Sequence, residues 1–253
     1  MGRAAILTVS LAALAFTAEA RAADYSRMVQ GPSVASTTDM GGWYLRGDIG
    51  YVLPWRPTGD GILPNGVVRT FENERFGNSM MLGLGLGYRL NSWFRADLTA
   101  EWRKDYDFSA TNSGSNYVNG YSDERAKFSA RTFMLNGYVD LGTWSGLTPY
   151  IGGGVGVTNK EVKDWSTQVF CFTAFCTPTL AMNTLPDTSK TGASWAVMAG
   201  VAWEITPNLS LDIGYRYLSL GEITTNPDSF GVSAKIGDVK INEVKAGFRY
   251  KFN

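Results

Sequence analysis

From Gly42 onward the chain alternates apolar and polar residues with a period of two, and it does so in eight separate stretches. That period belongs to strands with two unlike faces, and it excludes an amphipathic helical reading of the same segments. In the first stretch Trp43, Leu45, Ile49 and Tyr51 share one parity and Tyr44, Arg46 and Asp48 the other. The second sets Met80, Leu82, Leu84, Leu86 and Tyr88 against Gly83, Gly85, Gly87 and Arg89. The third sets Phe94, Ala96, Leu98, Ala100 and Trp102 against Arg95, Asp97, Thr99, Glu101 and Arg103. The same rhythm runs through 132–141, 150–158, 195–205, 209–217 and 243–252.

The direction of the alternation decides the solvent. The apolar faces carry no charge, while the opposite faces carry Asp48, Asp97, Glu101, Asp140, Glu204, Asp212 and Glu243 with Arg46, Arg89, Arg95, Arg103, Arg216, Lys245, Arg249 and Lys251. A soluble eight-stranded carrier of lipocalin type needs the reverse, an apolar interior, although Gly41-Gly42-Trp43 mimics that family's Gly-x-Trp. Strands of about ten residues suit a bilayer crossed at a tilt of ~45°. The connections alternate as well: long at 53–77, 105–125, 163–191 and 221–237, short at 90–93, 142–147 and 206–208. The expected fold is all-β, an eight-stranded antiparallel up-and-down transmembrane β-barrel with short periplasmic turns and four long surface loops.

So narrow a barrel is filled by its own side chains. Seven acids facing eight bases predict a paired network rather than an aqueous channel, since unmatched buried charge is costly. Its expected members are Arg46, Asp48, Arg95, Asp97, Glu101, Arg103, Glu204, Asp212, Arg216, Glu243, Lys245 and Arg249. Asp97 and Glu101 could form a catalytic carboxylate pair, but Arg95 and Arg103 beside them favour salt bridges. The glycines at 83, 85, 87, 152, 154 and 156 share the charged face and leave room for long side chains. Aromatic residues gather at strand ends: Trp43, Trp93, Phe94, Trp144, Trp203 and Phe252 at one rim, Tyr51, Trp55, Trp102, Tyr106, Trp195 and Tyr217 at the other. Two such levels are the girdles expected at membrane interfaces.

Residues 1–22 read as a secretory signal peptide, with Arg3, an apolar run over 4–18 and the cleavage pattern Ala20-Arg21-Ala22. Residues 23–42 are then a flexible periplasmic leader and 43–253 the barrel, in the outer membrane of a Gram-negative cell. The 23 basic and 23 acidic residues cancel, which argues against a nucleic-acid partner. Histidine is absent, removing the usual general base and the commonest zinc ligand. The glycine runs 83–87 and 152–156 are followed by no helix, so they are not phosphate loops. No enzyme activity, cofactor or metal is expected. Cys171 and Cys176 are the only cysteines; an exported pair this close can oxidise into a loop disulfide, the alternative being free thiols. The bridge would present Phe170, Phe172 and Phe175 to a partner, or pack them on the loop itself.

Four segments together resemble the small alphaproteobacterial outer-membrane proteins of the surface-antigen, opacity-like porin family: 42–51 (GWYLRGDIGY), 148–157 (TPYIGGGVGV), 209–217 (LSLDIGYRY) and 243–252 (EVKAGFRYKF). The resemblance implies an eight-stranded barrel surrounded by outer-membrane lipids and inserted by the barrel-assembly machinery, with roles in envelope integrity and in contacts with surface ligands or a host. Phe248, Tyr250 and Phe252 resemble the family's assembly signal, although such chains commonly end on the aromatic and this one continues to Asn253. Two functional readings compete: a plugged barrel acting through its loops, and a small porin passing ions or small solutes.

Overall fold

Alternation gives each strand two faces, and closing the sheet into a ring converts them into an inside and an outside. The structure, a computed structural model, describes residues 41–54, 58–113, 120–171 and 182–252. Eight strands close the ring: β1 (Gly42–Pro54), β5 (Ser79–Arg89), β6 (Phe94–Ser113), β7 (Gly120–Asp140), β8 (Leu147–Cys171), β10 (Thr188–Glu204), β11 (Leu209–Ser219) and β14 (Lys240–Lys251). Each pairs antiparallel with the next, and β14 returns to β1 from Lys251↔Tyr44 to Ile241↔Pro54, so the ring leaves no open edge. Outside stand Leu45, Leu84, Leu98, Leu135, Val155 and Phe248, all about half exposed. In water such an apolar belt would be untenable; in lipid it is the solvent-matched surface.

Register places the long inward side chains beside glycines. Asp48 lies between Gly83 and Gly247, and Lys245 between Gly50 and Gly214. A Cβ at Gly85 would sit 2.9 Å from Arg46 Cγ, and one at Gly87 would strike the Tyr44 ring. The glycines therefore make room for tyrosines as well as arginines.

Four strands, β6, β7, β8 and β10, run well past the ten residues expected, with 20, 21, 25 and 17. β8 has 25 residues, which at ~3.4 Å per residue and a tilt near 45° rises roughly 60 Å, against an apolar band of about 25 Å. Much of 105–125 and 163–191 is thus barrel wall rather than loop. Beyond the band the polarity inverts, because water replaces lipid outside. On β7 the outward residues change from Phe133 and Leu135 to Arg131 and Lys127, while the inward ones change from Asn136 and Thr132 to Phe128 and Ala126. Two bulges shift the face on neighbouring strands. On β6 the register passes from Arg103↔Ala130 to Tyr106↔Phe128, and on β8 from Lys163↔Lys127 to Ser166↔Arg125, with Asp164 at φ 51°.

One expectation is corrected here. Tyr106 is not a rim residue but 2% exposed inside the barrel, because the bulge after Arg103 turns it inward. It joins Phe108, Phe128 and Trp165 in an apolar core, with Phe76 of β4 (Glu72–Phe76) 5.3 Å from Phe108 and 5.4 Å from Phe128. The first and last long connections cap this core. Their strands β2 (Gly59–Ile62), β3 (Val68–Thr70), β12 (Ile223–Thr224) and β13 (Ser233–Ile236) form a sheet in the order β12-β13-β2-β3. A further short strand, β9 (Met182–Thr184), extends the wall against β8.

Candidate functional site

The barrel interior holds the chain's unusual chemistry, and it is built in tiers. Arg46, from β1, binds Asp48 through two nitrogens at 2.8 and 2.9 Å and reaches Asp97 of β6 at 2.8 Å. Asp97 also accepts from Asn136 at 2.8 Å and from Tyr44 at 3.2 Å, and Arg46 donates to the Tyr138 hydroxyl at 2.8 Å. Nearer the loop end lies a second tier. Arg216 donates twice to Glu101 at 2.7 Å and once to Glu243 at 2.6 Å. Arg103 bridges the same two carboxylates at 2.8 Å each and donates to Thr132, while Lys245 reaches Glu101 at 3.1 Å. Fork-shaped guanidiniums shared between carboxylates satisfy several donors at once, the arrangement in which buried charge is tolerable.

At the short-turn end Arg95 donates to Asp140 at 3.0 Å, with Arg89 at 3.5 Å from the same carboxylate and Arg249 at 3.7 Å from Asp212. Glu204 does not join. It is exposed, since β10 ends at this residue and its side chain meets the open mouth rather than the enclosed interior. The other eleven network residues face inward, Lys245 as a half-buried member.

Trp43, Trp93, Trp102, Trp195, Trp203 and Phe252 are all exposed, as are Phe248 and Tyr250. The side chains of Cys171 and Cys176 lie outside the described residues, as do Trp55, residues 1–40 of the proposed signal and leader segments, and Asn253, whereas Gly42 at the end of the proposed leader is the first residue of β1. Among the described residues no cluster of three potential metal ligands occurs.

Comparison with known proteins places the chain. The sequence profile of the family described as "Outer membrane protein beta-barrel domain" matches residues 8–252. The chain belongs to this outer-membrane β-barrel family. Among its relatives, an uncharacterized protein of Brucella abortus (strain 2308) is 32% identical over 253 residues, covering 84% of this chain and 86% of the relative. Outer membrane protein P.IIC of Neisseria gonorrhoeae is 25% identical, covering 86% and 91%. The crystal structure of OprG from Pseudomonas aeruginosa superposes with a TM-score of 0.51 at 18% identity, covering 85% of this chain and 97% of that one, a likeness of fold. As a member of this family the chain is an outer-membrane barrel protein of the Gram-negative envelope, with porin-like and surface-protein relatives.

The family's barrel here carries two buried ionisable groups that sequence alone does not reach. Lys160 donates to the Leu220 and Glu222 carbonyls, both at 2.7 Å, and so ties β8 to the capping connection. Glu124, seven residues beyond Arg131 and outside the lipid band, accepts from Ser122 at 3.0 Å, Trp165 at 2.9 Å and Thr167 at 2.5 Å. Glu124 falls in the segment 105–125 that reads as loop, and Lys160 just past the end of the stretch 150–158, where neither parity is consistently apolar.

Burial raises the Glu124 carboxyl above its ordinary value of 4.5, against the pull of those three hydrogen bonds. A folded value above the unfolded one means the folded chain binds the extra proton, so stability is fullest below pH 4.5 and falls as pH rises through the folded value. The thermal midpoint of the loop end should therefore drop, relative to Glu124→Gln, on passing from pH 4 to pH 7. Parallel midpoints for the two proteins across that range would refute the assignment.

Proposed function

We propose that this protein is a closed, non-conducting and non-enzymatic barrel that supports the outer membrane and makes surface contacts through its loop end. The observation that carries the reading is that the interior is filled at both levels. Paired charges occupy the lipid-embedded part, and an aromatic core under a four-stranded cap occupies the part beyond it. Ion passage would need both to open. The contact surface would lie at the connections, where Val67, Val68 and Phe230 are exposed beyond the barrel wall. A Cys171–Cys176 bridge would stiffen a neighbouring tip. Outer-membrane lipids would cover the apolar belt, and the barrel-assembly machinery would engage the last strand through Phe248, Tyr250 and Phe252.

The test is planar-bilayer conductance of the refolded full chain, after its gel mobility has been seen to shift on boiling. Silence is the expected result. Discrete, reproducible openings would overturn the closed-barrel reading in favour of a small porin, and neutralising Arg46, Arg95, Arg216 or Arg249 should then alter the ion selectivity of those openings.

A further inference from the structure

Charge pairing is not uniform along the barrel. In the two inner tiers Arg46, Arg103 and Arg216 each have at least two carboxylate oxygens at 2.8 Å or closer. At the short-turn mouth the pairing thins. Asp140 is shared by Arg89 and Arg95, and Arg249 stands 3.7 Å from its nearest partner, Asp212. A cavity of about 560 Å³ opens there. Arg89, Arg95, Arg249 and Lys251 line it, and the carboxylate among its lining residues is Glu204.

Two of the lining guanidiniums are incompletely bonded. Arg95, 2% exposed, leaves Nη2 without a hydrogen-bond partner, and Arg249, 8% exposed, leaves Nη1 without one. Arg95 is also held in place: its guanidinium lies 4.3 Å from the Tyr138 ring centre and 4.5 Å from that of Tyr150, with Nε on Asp140. Arg249 lies 5.5 Å from the Tyr44 ring. Preorganised, desolvated guanidinium N–H groups with no acceptor are the chemistry that recognises planar or tetrahedral oxyanions.

We propose that the short-turn mouth is a binding site for a carboxylate or phosphate group, anchored by Arg95 and Arg249. A ligand entering from this side would meet Arg89 and Lys251 first and the two held guanidiniums deeper in. The competing arrangement is water bridging Arg95 to Asp140 Oδ2 and Arg249 to Asp212 Oδ1, both buried oxygens that lack a donor. That arrangement satisfies both pairs and binds no anion.

The test is calorimetric titration of the refolded full-length barrel, in non-ionic detergent at low salt, with inorganic phosphate and separately with glutarate. Saturable binding of at least one anion, one per barrel, is expected, and Arg249→Gln should weaken it at least tenfold. Arg249 is chosen because its ion pair is long, so the heat-shifted gel mobility should survive; Arg89→Gln, at the outer lip, provides a second variant with a smaller loss. Phosphate binding alone would point to phosphorylated headgroups or free phosphate as the natural source, and glutarate binding alone to acidic periplasmic peptides. No binding of either anion, or equal binding by wild type and a folded Arg249→Gln, overturns the proposal.

Discussion

Glu101→Gln is expected to abolish stable folding of the barrel or to remove most of its stability. The carboxylate is 1% exposed and receives Arg216 twice at 2.7 Å, Arg103 at 2.8 Å and Lys245 at 3.1 Å. Glutamine keeps the shape but removes the charge and turns a donor toward three cations. Breaking a buried pair by deleting one partner costs about 3–5 kcal/mol, and here one deletion leaves two buried arginines sharing Glu243 alone. Total stabilities are only about 5–15 kcal/mol. Urea unfolding followed by the heat-shifted gel band, in detergent or vesicles, measures the loss. Lys245→Met should cost far less, because Glu101 retains both of its arginines and the lysine contacts are the longer ones, 3.1 Å to Glu101 and 3.8 Å to Asp48. A Glu101→Gln midpoint equal to that of wild type would show that the charged tier does not hold the interior.

Phe128→Ala should damage the other half of the molecule while sparing the first. Phe128 is 1% exposed and packs with Tyr106 at 5.9 Å and Phe76 at 5.4 Å between ring centres. Truncating a buried phenylalanine costs about 3–5 kcal/mol through lost contacts and the cavity left behind. The loss falls where β6, β7 and β8 stand in water, so the lipid-embedded ring should keep its heat-shifted mobility. Trypsin should then cut at Arg125 or Lys127, sites that the intact wall protects. A wild-type digestion pattern would mean that the wall beyond the membrane does not depend on this core.

The two variants divide the molecule along the line where its outer solvent changes, and the same line divides what the residues reveal on their own. Within the lipid band the contrast between faces is extreme, so Leu84 against Gly83 or Phe133 against Thr132 declares its side at once. Beyond the band the outside is polar, and the inside mixes Phe128 and Trp165 with Glu124 and Lys160. Period two persists there, but its polarity is inverted, and the bulges at 103–106 and 163–166 break its phase. These stretches therefore pass for loops, and Tyr106 for a rim residue.

Alternation and the connection lengths by themselves determined eight membrane strands, the parity that faces lipid and the parity that carries the charges, because each depends on residues two apart along one strand. Only the tertiary structure decided which charges meet. Arg103 finds Glu243 and Arg216 finds Glu101 across more than one hundred residues, and neither strand holds information about the width or stagger of the closed ring. The same holds for the cap, where 59–62 pairs with 233–236. Ring closure also left Glu204 outside at the mouth and Arg95 and Arg249 inside with unmet donors, a distinction of depth that a list of inward-facing residues does not contain.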